Sequence, residues 1–397
     1  CRSVQFPLDP NGFPLFLASA RRHGRNRANV AEETISQPNC RTFHQGLKFE
    51  YFLDNGNNIS NIANYFIALR FKAVMPERSL NSIMPYKVIL LGKSKNRTKT
   101  TSHLYRAFRD KGHETLWLNP SRLRRRKGNT SDFFLLEQIH AFAPDIVFIY
   151  SNDIPIFILR EVVKQGFTTV QYYEDWSSEI PTGLILRARC VDHFLVTNKG
   201  METRYKKAGV QNPVYFTGVC DAYDHRMQRP LLPIWKSDIA FIGAARSGEP
   251  RIELVKLLKK QYQLKVYGRN WKRFGINPTL PIIRPRGYRL ICSGAKIVLG
   301  SDITTDIEGY WSNRLWLTLG CGGFFLTQYV KGLEDYFENK RHLVWYHNQE
   351  ECLELVQEYL DKPREREQIA RQGYTLVHSE HTFHHFVDRV IAVCTSQ

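Results

Sequence analysis

From Met84 onward, short apolar runs alternate with stretches whose apolar positions recur every three or four residues, the period of a helix. Lys87–Leu91 (KVILL) reads as a strand, Thr101–Lys111 as a helix stopped by Gly112, and Glu114–Leu118 as a second strand. The pattern continues through a helix at Phe133–Phe142, a strand at Asp145–Tyr150, a helix at Ile156–Gln165 closed by Gly166, and a strand at Thr168–Tyr172. Asp192–Val196, a helix at Lys199–Lys207 closed by Gly209, and Val214–Phe216 complete the series. A Pro-containing connector, Asp221–Pro233, separates it from a second series: strand Ser237–Gly243, helix Arg251–Gln261, strand Leu264–Tyr267, helix Tyr288–Ser293 and strand Lys296–Leu299. Helix Ser312–Leu319, a Gly-Cys-Gly-Gly break and strand Phe324–Thr327 follow. Alternation with glycine stops predicts parallel sheets wrapped by helices. The expected organisation is two Rossmann-like domains, 84–217 and 218–378, with 379–397 returning as a helix toward the first.

The first 83 residues break this pattern. They open at Cys1, carry RRHGRNR (Arg21–Arg27), and pass through an Asn-rich stretch, DNGNNISNIANY, with little periodicity. They are expected to form a poorly ordered extension, read as upstream sequence with Met84 as the functional start; a genuine accessory region is the alternative.

A chain of 397 residues with 43% hydrophobic content can bury two cores. Its formal charge of +18 calls for an anionic partner: nucleotide, phosphorylated acceptor, nucleic acid or anionic lipid. The densest basic run, Arg122–Lys127 (RLRRRK), has no zinc, helix-turn-helix or RNP pattern beside it, so nucleic acid is not the expected partner. It reads as a solvated loop, with peripheral contact to an acidic membrane or polymer as the alternative. The eight cysteines are scattered without a CxxC pair, which points away from a zinc ribbon or a dense disulfide framework and toward a reducing cytoplasm. No apolar stretch reaches the ~18 residues of a spanning helix, so a cytoplasmic protein with at most peripheral membrane contact is expected.

Candidate chemistry concentrates in Ser301–His384. The strand Lys296–Leu299 delivers a polar loop at its carboxyl end, where open α/β sheets bind ligands. The helix that follows offers unpaired backbone N–H groups to a phosphate. Arg314, one turn in, reads as a diphosphate contact or a domain-packing arginine; Glu308 reads as a ligand contact or a helix-end charge. Gly322 and Gly323, with Gly320, allow close backbone approach. Gly243 and Arg246 (in GAARS) stand after the first strand of the second domain, a phosphate-facing position. In the first domain Tyr173, Glu174, Asp175 and Trp176 follow a strand, and Asp175 is taken as the candidate base for an acceptor hydroxyl, with a cap as the alternative. Gly92–Lys95 (GKSK) is not a complete P-loop. His378, His381, His384 and His385 lack the HExxH pattern, and no metal site is expected.

The segments YWSNRLWLTLGCGGFFLT (Tyr310–Thr327), KGLEDYFENKRHLVWY (Lys331–Tyr346), the helices over Gln349–Gly373, and VHSEHTF (Val377–Phe383) agree in order and spacing with one family. The C-terminal 150 or so residues resemble the CgeB-like, spore-maturation type branch of the GT-B glycosyltransferases. The resemblance implies an α/β, GT-B-like fold: two facing Rossmann-like domains and a last helix crossing back to the first, with His381 at the hinge. It also implies a nucleotide-sugar donor on the second domain, held by Tyr310, Ser312, Asn313 and Arg314 with Glu308 near the transferred sugar. The acceptor site would lie on the first domain; the acceptor itself stays open, an anionic glycan or cell-surface component being the class that the chain's positive charge suits. No cofactor or metal is implied. The absence of a DxD motif agrees with this. Family members often carry a Glu three residues after the motif Arg, whereas this chain has Leu317. The rival reading is therefore a catalytically silent module that binds a glycan, nucleotide or protein.

Overall fold

A computed structural model describes residues 85–93, 100–150, 154–175, 179–228 and 232–396. The expectations for residues 1–83, for Met84 as the start, for the end of the Gly92–Lys95 loop and for Trp176 fall outside the described residues.

The first sheet contains β1 (Lys87–Leu91), β2 (Glu114–Leu118), β3 (Ile146–Tyr150), β4 (Thr168–Tyr173), β5 (His193–Val196) and β6 (Pro213–Tyr215), in the order β2-β1-β3-β4-β5-β6. Every pairing is parallel, with Val88 opposite Ile146 and Ile146 opposite Thr168. The strands read as near-continuous apolar runs because helices cover both faces. The connecting helices are α1 (Thr100–Asp110), α2 (Pro120–Lys127), α3 (Ser131–Phe142), α4 (Ile156–Lys164), α5 (Thr182–Ala188) and α6 (Glu202–Lys207).

The second sheet has strands β7 (Ser237–Ile242), β8 (Leu264–Tyr267), β9 (Ala295–Leu299), β10 (Phe325–Gln328) and β11 (Val344–Tyr346), ordered β11-β10-β9-β7-β8 and again wholly parallel. Its helices are α7 (Arg251–Gln261), α8 (Pro285–Gly294), α9 (Arg314–Gly320), α10 (Gln349–Leu360) and α11 (Pro363–Glu380). Alternate residues of β7 feed opposite cores: Ile239 and Phe241 pack with α7 and α10, Ala240 and Ile242 with α8 and α9. The expected division at 217/218 falls between β6 and β7.

The last helix, α12 (Phe383–Thr395), belongs to the first core. Its Phe386 ring stands 4.9 Å from Tyr172 and 5.1 Å from Phe216; burying one such side chain contributes about 1.5–3 kcal/mol. The chain crosses between the two sheets twice, and the crossings are hydrogen bonded to each other. The Cys220 N–H donates to the His381 carbonyl at 2.9 Å, and the Phe383 N–H donates to the Cys220 carbonyl at 3.0 Å. A Thr382–His385 capping box starts α12 immediately after this contact.

Two local expectations are corrected. Arg122–Lys127 is helical, because Asn119 caps the segment by accepting from the Arg122 N–H at 3.0 Å and Pro120 occupies the first helical position. Strand β4 runs one residue further than expected, to Tyr173.

Candidate functional site

The carboxyl ends of β7 and β9 open side by side. After β7 the chain turns at Gly243, whose N–H donates to the Tyr267 carbonyl at 2.8 Å and whose carbonyl accepts from Trp271 Nε1 at 2.7 Å. After β9, Ser301 and Asp302 are buried, and Asp302 Oδ1 accepts from the Ser312 N–H at 3.1 Å, holding the entry to α9.

Arg314 ties these loops together. Its Nε donates to the Ile242 carbonyl at 2.6 Å and Nη1 to the Ser301 carbonyl at 3.3 Å, with Asp302 Oδ1 3.8 Å away and the Phe241 ring 5.0 Å beneath the guanidinium. Nη2 lies over Gly243, where a Cβ would meet it at 2.8 Å. The arginine is therefore a packing residue through two nitrogens and faces the Gly243 turn with the third.

A second buried guanidinium, absent from the sequence expectations, stands nearby. Arg251 at the first turn of α7 is 6% exposed and ion-paired with buried Glu249 at 3.2 Å. Burial and the neighbouring Arg314 charge both hold its pKa below the usual arginine range. Glu249 also accepts from the Arg246 N–H at 3.0 Å, while the Arg246 side chain is exposed. The Tyr310 hydroxyl is pushed up to about 12 by burial, against the nearby charges of Arg251, Arg246 and Arg314. Three arginines around one tyrosine, with the carboxylates Asp302 and Glu249 among them, form a charged, partly desolvated recess at the sheet's carboxyl edge. Ser312 Oγ is buried there without a hydrogen-bond partner. Such a recess suits a diphosphate.

Glu308 is engaged elsewhere. Lys199 and Lys331 each reach its carboxylate at 2.9 Å, and Lys199 also reaches Asp335 at 3.1 Å. Hydrogen bonds from Lys331 and Lys199 hold the Glu308 carboxyl below its ordinary pKa. Its carbonyl accepts from the Gly200 N–H at 2.8 Å, so Glu308 fastens the β9 loop to the turn after β5.

In the first domain the structure turns Glu174, rather than Asp175, inward. Tyr150 Oη donates to Glu174 Oε2, Thr100 Oγ1 stands 3.5 Å from the same oxygen, and Thr197 Oγ1 donates to the Glu174 carbonyl at 3.1 Å. Burial raises the Glu174 pKa, opposed by hydrogen bonds from Tyr150, Tyr172 and Asn313. Asn313 comes from the entry to α9, so this carboxylate meets the second domain across the cleft. Asp175 is exposed.

The structure thus brings Gly243, Tyr310, Ser312 and Arg314 to one recess, with Arg246 at its rim and Asn313 toward Glu174. Gly322 and Gly323 are not brought there. They form the turn from α9 into β10 at the opposite, amino edge of the sheet, Gly322 at φ 71° against Met227 and Gly323 against Thr318 and Cys292. Among the other polar clusters, His103, Asp221 and Asp224 approach one another, and Arg106 supplies the cation: Nη2 donates to Asp221 at 2.6 Å.

The same architecture recurs among solved structures. HepE of Anabaena, in complex with UDP and glucose, superposes with a TM-score of 0.56 at 8% identity, over 78% of this chain and 100% of that one. Sucrose-phosphate synthase of Thermosynechococcus elongatus gives 0.57 at 9%, over 78% and 98%. An alpha-glucosyltransferase in complex with UDP-glucose and DNA containing an abasic site gives 0.57 at 11%, over 79% and 100%. The fold is GT-B. In sequence, residues 249–392 match the family described as glycosyl transferase-like. No curated protein matches the chain. The matched segment contains Arg251, Asp302, Glu308 and Tyr310–Arg314; Gly243, Arg246 and Glu174 precede it.

Proposed function

We propose that this protein is a glycosyltransferase of the CgeB-like branch that moves a sugar from a nucleotide-sugar donor to an acceptor lying over the first sheet. The observation that carries the reading is the recess built from Arg251, Arg314, Tyr310 and Ser312, which faces the inward carboxylate Glu174 across the cleft. Arg314 Nη2 and Arg251 would meet the diphosphate, assisted by Arg246 and the backbone at Gly243. Two guanidiniums there supply the charge compensation for a leaving diphosphate, so the reaction is written without a metal. Asn313 and Glu174 would border the transferred sugar. As the acceptor oxygen bonds to the anomeric carbon, its proton passes to the Glu174 carboxylate, and the bond from that carbon to the diphosphate breaks with its electron pair on the departing phosphate. Glu308 acts as a positioning residue through Lys199 and Lys331.

Leu317, half-buried where related motifs carry Glu, favours the second reading of a silent module that binds the donor without turning it over. Calorimetry with nucleoside diphosphates, followed by product analysis with a panel of nucleotide sugars, separates the two. Glu174→Gln should keep diphosphate affinity within about twofold and lower transfer by on the order of a hundredfold or more, whereas Asp175→Asn should leave transfer nearly intact. Absence of diphosphate binding removes both readings; binding without any transfer leaves the silent module.

A further inference from the structure

The outer face of the first domain carries a feature that sugar transfer does not use. Helix α2 holds Arg122, Arg124, Arg125, Arg126 and Lys127, all exposed, and contains no acidic residue. It packs against α3, α3 against α4, and α4 against α5, so the four make one layer. Along that layer large apolar side chains stand in water: Phe133 in the first turn of α3 is 52% exposed, Phe157 in the first turn of α4 is 57%, and Leu186 in α5 is 42%. The acids on α3 are Asp132 and Glu137, and Glu161 on α4 is already paired with Lys164 at 2.6 Å, so the face stays basic. Because α4 leaves the carboxyl end of β3 and α5 follows β4, Phe157 lies toward the same edge of the sheet as Glu174.

We propose that this face docks the protein on an anionic membrane surface, with the α2 cations against the headgroups and Phe133, Phe157 and Leu186 at the headgroup–acyl boundary. Five cations beside a row of apolar side chains match the two components of interfacial binding, electrostatic attraction and shallow apolar insertion. The chain's own first 84 residues do not complement the face, since they carry ten basic and six acidic side chains. No helix among the described residues is long and apolar enough to cross a membrane. Attachment here would set the cleft edge facing the surface and does not depend on whether the protein transfers sugar.

The test is co-sedimentation of the full chain with vesicles of phosphatidylcholine alone and of phosphatidylcholine mixed with phosphatidylglycerol, with a single-stranded oligonucleotide as the competing polyanion. Binding to the mixed vesicles only, weakening as salt rises, is expected. The double variant Arg122→Glu, Arg126→Glu should lower partitioning by on the order of a hundredfold or more, and Phe157→Ser by roughly tenfold while leaving oligonucleotide binding unchanged. All these positions are exposed, so unchanged melting temperatures are expected to show that the variants fold. Equal binding to both vesicle types, no binding to either, or indifference to the charge reversal overturns the proposal. Tighter binding to the oligonucleotide, with Phe157→Ser neutral toward vesicles, reassigns the face to nucleic acid.

Discussion

Arg314 shows why a single residue resists assignment from sequence. Its place at the start of a helix at a sheet's carboxyl end fits a phosphate contact, and the same place fits a packing arginine. The geometry gives both uses to different nitrogens: Nε and Nη1 satisfy the Ile242 and Ser301 carbonyls, and Nη2 faces Gly243. Removing the side chain leaves two carbonyls without donors and Asp302 without its nearest cation, a cost of roughly 3 kcal/mol. Arg314→Ala should therefore lower both stability, in a denaturant titration, and diphosphate affinity, in calorimetry. Loss of affinity with unchanged stability would show that the packing bonds are idle. Glu174 was hidden for a different reason. Glu174 and Asp175 both lie just beyond β4, which ends at Tyr173, so strand alternation does not choose between the two adjacent carboxylates. Composition at the strand end cannot choose between them; the Tyr150 and Thr100 hydroxyls on neighbouring elements do.

At the scale of elements, apolar runs bounded by polar residues and one amphipathic segment are legible: β1, β2, α7 and β8 run over the same residues in sequence and structure. Two elements without such a pattern are not. The three residues of β11 follow a polar stretch and carry too little pattern to read, and α2 was masked by its charge although Asn119 and Pro120 announce a helix start. Close packing is the other illegible property, because a glycine gives no sign of what approaches it. Gly373 lies inside α11, where a Cβ would come within 2.2 Å of the His342 carbonyl oxygen. Gly183 is the second residue of α5, with nothing within 4 Å of such a Cβ. Alanine gains about 0.5–1 kcal/mol over glycine in a helix, so Gly183→Ala should raise the denaturation midpoint. Gly373→Ala must push α11 off the 342 turn, which costs typically 1–3 kcal/mol, and should lower it. Equal shifts at the two sites would mean that helix preference alone governs both.

At the scale of the whole molecule, the two crossings between the sheets meet at Cys220–His381, and buried His225 and half-buried His381 stand at that meeting point. His225 is 4% exposed and its Nδ1 accepts from the Asp221 N–H at 2.8 Å; burial, then the nearby His103 charge, lowers its pKa to about 4. The His381 ring packs 4.8 Å from Trp316 and 5.6 Å from Tyr336, and burial with the Arg389 charge lowers it likewise to about 4. In the unfolded chain both imidazoles take up protons near their ordinary value of about 6.5, while the folded protein refuses them until about 4. The unfolded state then binds more protons throughout that window, so stability must fall as pH drops from 6.5 and level off below 4. Glu174 works in the opposite sense, since its raised pKa lets the folded state take a proton first, and it offsets part of the loss. Each histidine contributes a slope of at most about 1.4 kcal/mol per pH unit. Stability measured by denaturant titration from pH 7 to 4 should show this decline, and His381→Phe, which keeps an aromatic ring against Trp316, should make it shallower by up to one histidine's share. A variant whose stability follows the parent curve throughout would mean that the His381 ring is protonated in the folded protein, and that the closure between the domains already tolerates its charge.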